Sequence, residues 1–178
     1  MSRIRITGGE WRSRLIKVAD SVKQLRPTPD RVRVTLFNWL GQDLTGLSCL
    51  DLFAGSGILG FEAASRGADL VTLVEQDQGA CTVLRQNAQA LGGPTLELVP
   101  ADALKFANST SRGYDLIFLD PPFRQGWIER IAPLLPRLAN PGARLYIEAE
   151  HAVETLGAWR SVRQSRAGQV FYQLLEQA

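Results

Sequence analysis

The sequence predicts an α/β fold in which a doubly wound, mostly parallel seven-stranded sheet ends in a C-terminal antiparallel hairpin. A small N-terminal β-hairpin is predicted to precede this sheet. Two observations support the fold class. From residue 47 onward, strand-like apolar runs alternate with helix-like segments, and repeated strand–helix units demand a parallel sheet covered on both faces. Two further strand-like segments flank Gly168, and they predict the antiparallel edge.

Each element is predicted from its own residue pattern. Alternating polar and apolar residues on either side of Gly8-Gly9 predict the N-terminal hairpin. Thr28-Pro29 is typical of a helix start, and an apolar i, i+4, i+8 stripe after it predicts a helix that ends at Gly41. The predicted strands cover residues 3–7, 14–18, 47–53, 70–74, 96–99, 114–119, 144–149, 159–166 and 169–176. The other predicted helices cover residues 58–66, 79–91 and 127–138.

The composition indicates a single domain over residues 1–178, with a basic extension at residues 1–27 and a core at residues 28–178. The chain is 45% hydrophobic and 21% charged, and its 178 residues are enough to bury a core without crosslinks. It has neither a membrane-length apolar run nor a signal-peptide core, so we expect a cytoplasmic protein. Cys49 and Cys81 lie in no metal or redox spacing, and the lone His151, expected to pack, cannot form a triad or zinc site alone.

The net charge of +2 conceals an uneven distribution of charge along the chain. Residues 1–33 hold nine basic and three acidic side chains, so this segment carries +6 and the remainder carries −4. Arginine outnumbers lysine 17 to 3, and arginine both matches phosphate geometry and stacks on bases. A basic arm of this kind is typical of nucleic-acid binding, although a solvated basic face without a partner would carry the same charge.

A carboxylate stands at or just after the end of each of four predicted parallel strands. These residues are Asp51, Glu75, Asp102 and Asp120. The carboxyl ends of parallel strands meet at one edge of a sheet, where open α/β sheets bind their ligands. A single acid there would merely favour a helix N-terminus. Four of them predict a ligand that is rich in hydrogen-bond donors or positive charge.

A glycine-rich loop follows the first of these strands and is compatible with two cofactors. Gly55, Gly57 and Gly60 satisfy the Gly-x-Gly-x-x-Gly pattern of dinucleotide sites, with Glu75 twenty residues after Gly55. Residues 51–65 contain no lysine or arginine to meet a pyrophosphate. S-adenosylmethionine fits better, because its sulfonium and amino groups are cationic and its ribose hydroxyls can donate to Glu75.

The segment Asp120-Pro121-Pro122-Phe123 directly follows the fourth of these strands. Its two prolines fix φ and lack an amide hydrogen, so nearby carbonyls stay free to accept hydrogen bonds. A carboxylate and a proline carbonyl can hold one exocyclic amine, and Phe123 offers a face on which a base can stack. Orientation and electrostatics would then promote methyl transfer without a covalent enzyme intermediate. The alternative is an ordinary turn with Phe123 in the core.

At these residues the chain resembles the class I S-adenosylmethionine-dependent methyltransferases, and it is more closely similar to the RsmD family. Residues 51–57 resemble the first motif of the class, and residues 120–123 resemble its amino-methylating motif. The resemblance to the family covers nearly the whole chain. Its specific signatures are Arg-Ile-Thr-Gly-Gly-Glu-Trp-Arg at residues 5–12 and a second segment at residues 26–38.

This resemblance implies methylation of N2 of a guanine in bacterial 16S ribosomal RNA, presented by an assembled or nearly assembled small ribosomal subunit. The hairpin would grip the RNA backbone, and we expect a monomer that uses neither a metal nor a membrane. The implied catalytic residues are Asp120, Pro121, Pro122 and Phe123. The implied S-adenosylmethionine-binding residues are Asp51, Phe53, Gly55, Gly57, Glu75, Gln76, Asp102, Ala103 and Asp120. The implied RNA-binding residues are Arg3, Arg5, Arg12, Arg14, Lys17 and Arg26, and Arg26 and Thr28 are also expected near the cofactor or base pocket.

Other functions remain compatible with parts of this pattern. An amino methyltransferase of DNA adenine or of protein glutamine would share the motif at residues 120–123. However, no target-recognition insertion for DNA follows this motif, and a glutamine methylase would need a peptide pocket rather than an arginine-rich arm. A non-catalytic RNA-binding protein on this scaffold would be favoured only if a site residue were missing.

Ile58 and Phe61 are bulkier than the family pattern, which should alter helix packing rather than cofactor choice.

Overall fold

The computed structural model describes residues 2–23 and 27–178, and ten strands form two sheets within them. The small sheet is an antiparallel hairpin of β1 (Ser2–Arg5) and β2 (Leu15–Val18). The large sheet contains β3 (Ser48–Asp51), β4 (Leu70–Glu75), β5 (Leu96–Pro100), β6 (Tyr114–Leu119), β7 (Ala139–Ala149), β8 (Thr155–Leu156), β9 (Trp159–Ala167) and β10 (Val170–Gln177).

The large sheet has the strand order β5-β4-β3-β6-β7-β10-β9-β8. Strands β3 to β7 are mutually parallel, whereas β10 runs antiparallel to both of its neighbours. The mostly parallel sheet with a C-terminal antiparallel hairpin is therefore confirmed. Strand β8 is an additional two-residue edge strand beside Trp159. The chain builds outward from β3 to β5 and then returns to β6, so the topological switch point lies between β3 and β6.

Helices cover both faces of the large sheet. They are α1 (Asp20–Lys23), α2 (Asp30–Leu40), α3 (Ile58–Ser65), α4 (Gln78–Leu91), α5 (Ala103–Ser109), α6 (Trp127–Ile131) and α7 (Leu135–Leu138). Successive side chains of a strand point to opposite faces. Accordingly, Leu116 and Phe118 pack with α2, α3 and α4, whereas Ile117 and Leu119 pack with α5, α6 and α7. None of the helices in the described residues is long and apolar enough to cross a membrane.

Three local differences from the predicted elements have clear physical reasons. The helix predicted over residues 127–138 is split by a 3₁₀ turn (Ala132–Leu134), because Pro133 and Pro136 lack the amide hydrogen that an interior helical residue needs. Helix α5 was not predicted, although Asp102 caps it by accepting from the Lys105 amide at 3.1 Å. Strand β7 begins at Ala139 instead of residue 144, and its pairing with β6 shifts register to accommodate the extra residues.

The N-terminal hairpin is fixed to the core through the buried carboxylate of Glu62 on α3. Both Glu62 oxygens accept from the Thr7 amide at 2.9 and 3.1 Å, and Oε2 also accepts from the Thr7 hydroxyl at 2.7 Å. Arg33 and Arg66 each donate to this carboxylate at 2.8 Å, and Arg33 also donates to the Arg5 carbonyl at 2.7 Å. Glu62, Arg33 and Arg66 are all buried. Arg33 also pairs with the exposed Asp30, but inside the protein the three charges compensate one another.

The loop of the hairpin is held at the end of the same helix by Ser65. The Ser65 carbonyl accepts from the Glu10 amide at 2.7 Å, and its hydroxyl accepts from the Trp11 amide at 2.8 Å. The hydroxyl also donates to the Gly8 carbonyl at 2.6 Å. Gly9 has a φ of 78°, and a Cβ there would lie 2.1 Å from the Ser65 carbonyl oxygen. Only glycine therefore allows the loop to approach α3 so closely.

We expect Glu62→Gln to lower the free energy of unfolding by about 3–5 kcal/mol, because two buried guanidinium groups lose their shared counter-charge. Urea denaturation measures this loss. Glu97→Gln is a matched control, since the 2.9 Å pair of Glu97 with Arg112 is about half exposed and should contribute less than about 1 kcal/mol. Equal losses for the two variants would contradict the anchoring role of Glu62.

Candidate active site

A cavity of about 850 Å³ lies at the carboxyl ends of the parallel strands, beside the switch point between β3 and β6. This volume is typical of small-molecule sites. Six carboxylates line it, and no lysine, arginine or histidine does so among the described residues. The six are Asp51, Glu75, Asp77, Asp102, Asp120 and Glu148. The lining thus favours a ligand with positive charge and hydrogen-bond donors.

Three of these carboxylates face the same side of the sheet because of the strand register. Asp51 lies opposite Phe118, and Phe118 lies opposite Tyr146. Two residues further along, each strand again presents the same face, so Asp120 and Glu148 are neighbours across β6 and β7. Consistent with this arrangement, the charges of Asp51 and Glu148 both raise the pKa of Asp120.

The glycine loop fixes the carboxylate of Glu75 at the end of β4. Glu75 Oε1 accepts from the Gly55 amide at 2.8 Å, and Oε2 accepts from the Asp77 amide at 2.9 Å. Gly55 adopts a φ of 57°, a left-handed conformation that costs glycine nothing. Each Glu75 oxygen keeps a free lone pair. The carboxylate is therefore held in one orientation and can still accept from two neighbouring hydroxyls.

Gly57 does not line the cavity, unlike the other residues proposed to bind the cofactor. It precedes α3 with a φ of 81°. A Cβ at this position would lie 2.5 Å from Leu84 and 2.7 Å from Phe61. Gly57 thus permits close packing of α3 and α4 behind the loop.

Asp51 is buried at the base of the cavity and accepts from the Gly60 amide at 3.2 Å. Burial raises the pKa of Asp51 from 3.8 to about 7, with smaller contributions from the charges of Glu75 and Glu148. The hydrogen bond from Gly60 opposes this increase. A cationic ligand would favour the ionised carboxylate.

Asp120 and Glu148 form a carboxyl pair between the cavity and α2. Burial raises the pKa of Asp120 well above its ordinary value, and the charge and hydrogen bonding of Glu148 raise it further. Thr28, which precedes α2, donates to Glu148 Oε2 at 2.7 Å. The structure thus places Thr28 in the cavity lining, as the sequence indicated.

The rim of the cavity is aromatic. Phe123 is 39% exposed, so the alternative of a core position for this side chain is wrong. Phe53 and Trp127 meet edge to face at 5.2 Å, and the Arg130 guanidinium lies 3.9 Å from the Trp127 ring centre. Arg124, directly after Phe123, has a φ of 64°, a conformation that is unfavourable for a residue with a Cβ.

Most of the proposed site residues come together in this cavity. Its lining includes Asp51, Phe53, Gly55, Glu75, Gln76, Asp102, Ala103, Asp120, Pro121, Pro122 and Phe123. Glu148 and Trp127 also line it but were missed from the sequence. The signal for Glu148 was present, since it stands near the end of a predicted strand. The sequence does not show whether this strand runs parallel or antiparallel to its neighbours, so it does not show at which edge of the sheet Glu148 lies.

The basic side chains of the hairpin are presented to solvent. Arg3, Arg5, Arg12, Arg14 and Lys17 are all exposed. Arg14 donates to the Ala90 carbonyl at 2.9 Å, and Arg5 donates to the Ser13 carbonyl at 3.4 Å. Arg26 lies outside the described residues. The chain that leaves β2 reaches the cavity at once, because Ser21 and Val22 line it, so the hairpin and the cavity adjoin.

Two isolated sequence features take no part in this cavity. His151 is exposed, so the expectation that it packs is wrong, and it borders a separate hollow of about 310 Å³ with Glu129 and Glu154. Cys49 and Cys81 are buried free thiols, and burial raises the pKa of Cys49 to about 12.

The strand order, the glycine loop after β3 and the acid-lined cavity at the switch point together define a class I methyltransferase fold. Comparisons with known proteins narrow this class. A family model described as conserved hypothetical protein 95 matches residues 4–176, and the chain belongs to this family, the RsmD family.

Similar proteins cover nearly the whole chain. Ribosomal RNA small subunit methyltransferase D of Escherichia coli K12 is 42% identical, over 98% of this chain and 90% of the relative. The protein of the same name from Haemophilus influenzae is 38% identical, over 97% of this chain and 93% of the relative. A solved structure of the E. coli protein yhhF, described as a candidate methyltransferase, superposes with a TM-score of 0.89 at 39% identity, covering 99% and 98% of the two chains.

The pH dependence of stability tests the environment of Asp51. The folded-state pKa of about 7 exceeds the unfolded value of about 3.9, so the folded state binds more protons between these values. We therefore expect the free energy of unfolding of the ligand-free protein to fall as pH rises from 4 to 7, by up to about 4 kcal/mol from this group.

Asp51→Asn should remove this contribution, so urea midpoints of the variant and the unaltered protein should converge towards pH 4 and diverge towards pH 8. Asp69→Asn, at an exposed position, controls for the loss of one carboxylate. If the unaltered protein and Asp51→Asn differ by the same amount at every pH, Asp51 does not have a raised pKa.

Proposed function

We propose that this protein transfers a methyl group from S-adenosylmethionine to the exocyclic N2 amine of a guanine in 16S ribosomal RNA of the small ribosomal subunit. The observation that carries the proposal is the position of Asp120-Pro121-Pro122-Phe123, at the rim of an acid-lined cavity beside the switch point. The names of the E. coli and H. influenzae relatives support ribosomal RNA as the substrate.

The cavity residues fit S-adenosylmethionine. Glu75 is fixed by two backbone amides with a free lone pair on each oxygen, an arrangement that suits a ribose diol. Asp102 follows β5, where its carboxylate caps α5 and the residue lines the cavity. The bound cofactor would supply an electrophilic methyl group on a sulfonium, and the lining carboxylates suit that positive charge.

Asp120 and the proline carbonyls would hold the target amine. Pro121 and Pro122 have no amide hydrogen, so this turn presents acceptors and no competing donors. Asp120 accepts a hydrogen bond from the amine as positive charge develops on its nitrogen, and this stabilises the transition state. Phe123 stacks on the base and holds the amine at the orientation that attack requires.

The hairpin would bind the RNA backbone beside the cavity. Its exposed arginines are held at a fixed position because Glu62 and Ser65 attach the hairpin to α3. A base that leaves its stack could then enter the cavity while neighbouring phosphates contact the hairpin. We also infer that residues 1–178 act as one domain, because one family match spans residues 4–176, and that the protein acts as a monomer.

The substrate class is tested by incubating the protein with methyl-labelled cofactor and small ribosomal subunits, protein-free 16S RNA or DNA. We expect labelled N2-methylguanosine after digestion of the subunits. Methyladenine from DNA, or no labelled nucleoside in any sample, would overturn the proposal.

We expect Asp120→Ala to lower the rate of methyl transfer by at least about 100-fold, because the amine loses its charged acceptor. Calorimetry should still detect binding of S-adenosylmethionine, since Glu75 and the glycine loop are unchanged. Asp69→Ala controls for loss of a carboxylate away from the cavity. Normal turnover of Asp120→Ala would exclude this role for Asp120.

We expect Arg3→Glu combined with Arg12→Glu to weaken binding of the RNA substrate and to reduce the salt dependence of binding. Each lost phosphate contact should lower the slope of log affinity against log salt by about 1. Arg14 is left unchanged because it also contacts Ala90. Lys105→Glu is the control, because Lys105 lies on α5, which covers the opposite face of the large sheet from α3. An equal effect of Lys105→Glu on RNA binding would contradict a specific role for the hairpin.

A further inference from the structure

Glu148 is a buried carboxylate in the cavity for which the proposed reaction has no role. Glu148 is only 4% exposed, yet it lines the cavity beside Asp120. A buried carboxylate is costly unless it is paired or hydrogen-bonded. Glu148 Oε2 accepts from the Thr28 hydroxyl at 2.7 Å, and Glu148 also forms a hydrogen bond with Asp120. Two carboxyl groups can bond in this way only by sharing a proton, and a ligand that brings its own donors would replace that proton.

No positively charged side chain lines the cavity beside Glu148 among the described residues. Tyr146 lies on the same face of β7, and its hydroxyl is buried without a hydrogen-bond partner among the described residues. Burial raises the pKa of Tyr146 well above its ordinary value, and the charge of Glu148 raises it further. Asp120, the neighbour of Glu148 across β6 and β7, carries the same sign of charge when ionised. When both carboxylates are ionised, this end of the cavity presents two adjacent acceptors, which suit a ligand with two adjacent donors.

We propose that Glu148 is the residue that selects guanine, by accepting the N1–H of the target base while Asp120 accepts from the neighbouring N2 amine. This inference rests on the proposed function, and it assigns the base specificity of that same site. Guanine presents N1–H and N2–H side by side on its Watson–Crick edge, which is the edge read in an extruded base. Asp120, directly after β6, and Glu148, on β7, place two carboxylates side by side to meet these donors.

The same geometry rejects other bases that carry an exocyclic amine. In adenine and cytosine, the ring nitrogen next to the amine is an acceptor, and a carboxylate facing it would leave two acceptors opposed. Sites that depend on a hydrogen bond to the substrate discriminate strongly against analogues that lack it, because the polar group of the site is then left unpaired. Thr28 acts as a positioning residue here, since its hydroxyl holds Oε2 and directs Oε1 towards the base.

The test uses analogues that keep the N2 amine but lack the N1 hydrogen. Small subunits are reconstituted with guanine, 2-aminopurine or 2,6-diaminopurine at the nucleotide that the unaltered protein methylates. We expect the unaltered protein to methylate guanine about 10–100 times more efficiently than either analogue, judged by kcat/KM, since a charge-assisted hydrogen bond contributes that factor.

Glu148→Gln should allow a hydrogen bond of the reverse direction at N1, because the glutamine amide can donate to an unprotonated N1. We expect this variant to lose guanine efficiency and to reduce the preference for guanine over 2-aminopurine at least about tenfold. Thr28→Val, which frees Oε2, should reduce the same preference more weakly. Glu176→Gln is the matched control, because Glu176 is exposed near the C-terminal end of β10. It lies opposite Arg144 in the strand register, four positions along β7 from Glu148.

The ratio of the two substrates separates recognition from stability, since a merely structural role would lower both rates together. An unchanged ratio in Glu148→Gln, or equal efficiency of the unaltered protein on guanine and 2-aminopurine, would overturn the inference. If Glu148→Gln does not fold, the ratio for the unaltered protein and for Thr28→Val still decides. Absence of N2-methylguanosine from every subunit would instead refute the proposed function.

Discussion

The arrangement of carboxylates in the cavity depends on one constraint. Along each parallel strand, every second side chain points to the same face of the sheet. This period places Asp51, Asp120 and Glu148 on one face, because β3, β6 and β7 are in register. Burial and, to a smaller degree, repulsion from neighbouring carboxylates raise the pKa values of Asp51 and Asp120. The protein therefore maintains a site that is destabilising when empty and is stabilised by a cationic, donor-rich ligand. Stability and binding are coupled through the same carboxylates.

Helix α3 connects this cavity with the surface proposed to bind RNA. Its N-terminus follows the glycine loop that fixes Glu75, and its middle and end hold the hairpin through Glu62 and Ser65. The eight residues of α3 are all buried, so the helix has little freedom to move independently of either element. The distance between the hairpin and the cavity is thus set by one rigid element, which suits an enzyme that must hold a large RNA while one base enters.

The strand–helix alternation, the glycine loop and the motif at residues 120–123 were all recognisable locally. The structure places the loop and the motif at the cavity, except that Gly57 packs behind the loop. Other features depended on information that local patterns do not contain. The helix over residues 127–138 had the right apolar spacing, but two prolines split it. Arg33 was counted with the basic segment, yet it is buried against Glu62. Its sequence neighbours do not reveal that partner, which lies 29 residues away.

The sequence by itself determined the fold class, the edge of the sheet that holds the site and the residue types that meet there, because strand ends and glycine turns are local properties. Only the tertiary structure decided which of these residues are neighbours. Glu148 meets Asp120 because β7 pairs with β6 in parallel, and Thr28 reaches it across 120 residues of chain. Strand direction and register follow from packing of the whole sheet, since each strand must bury both faces at once.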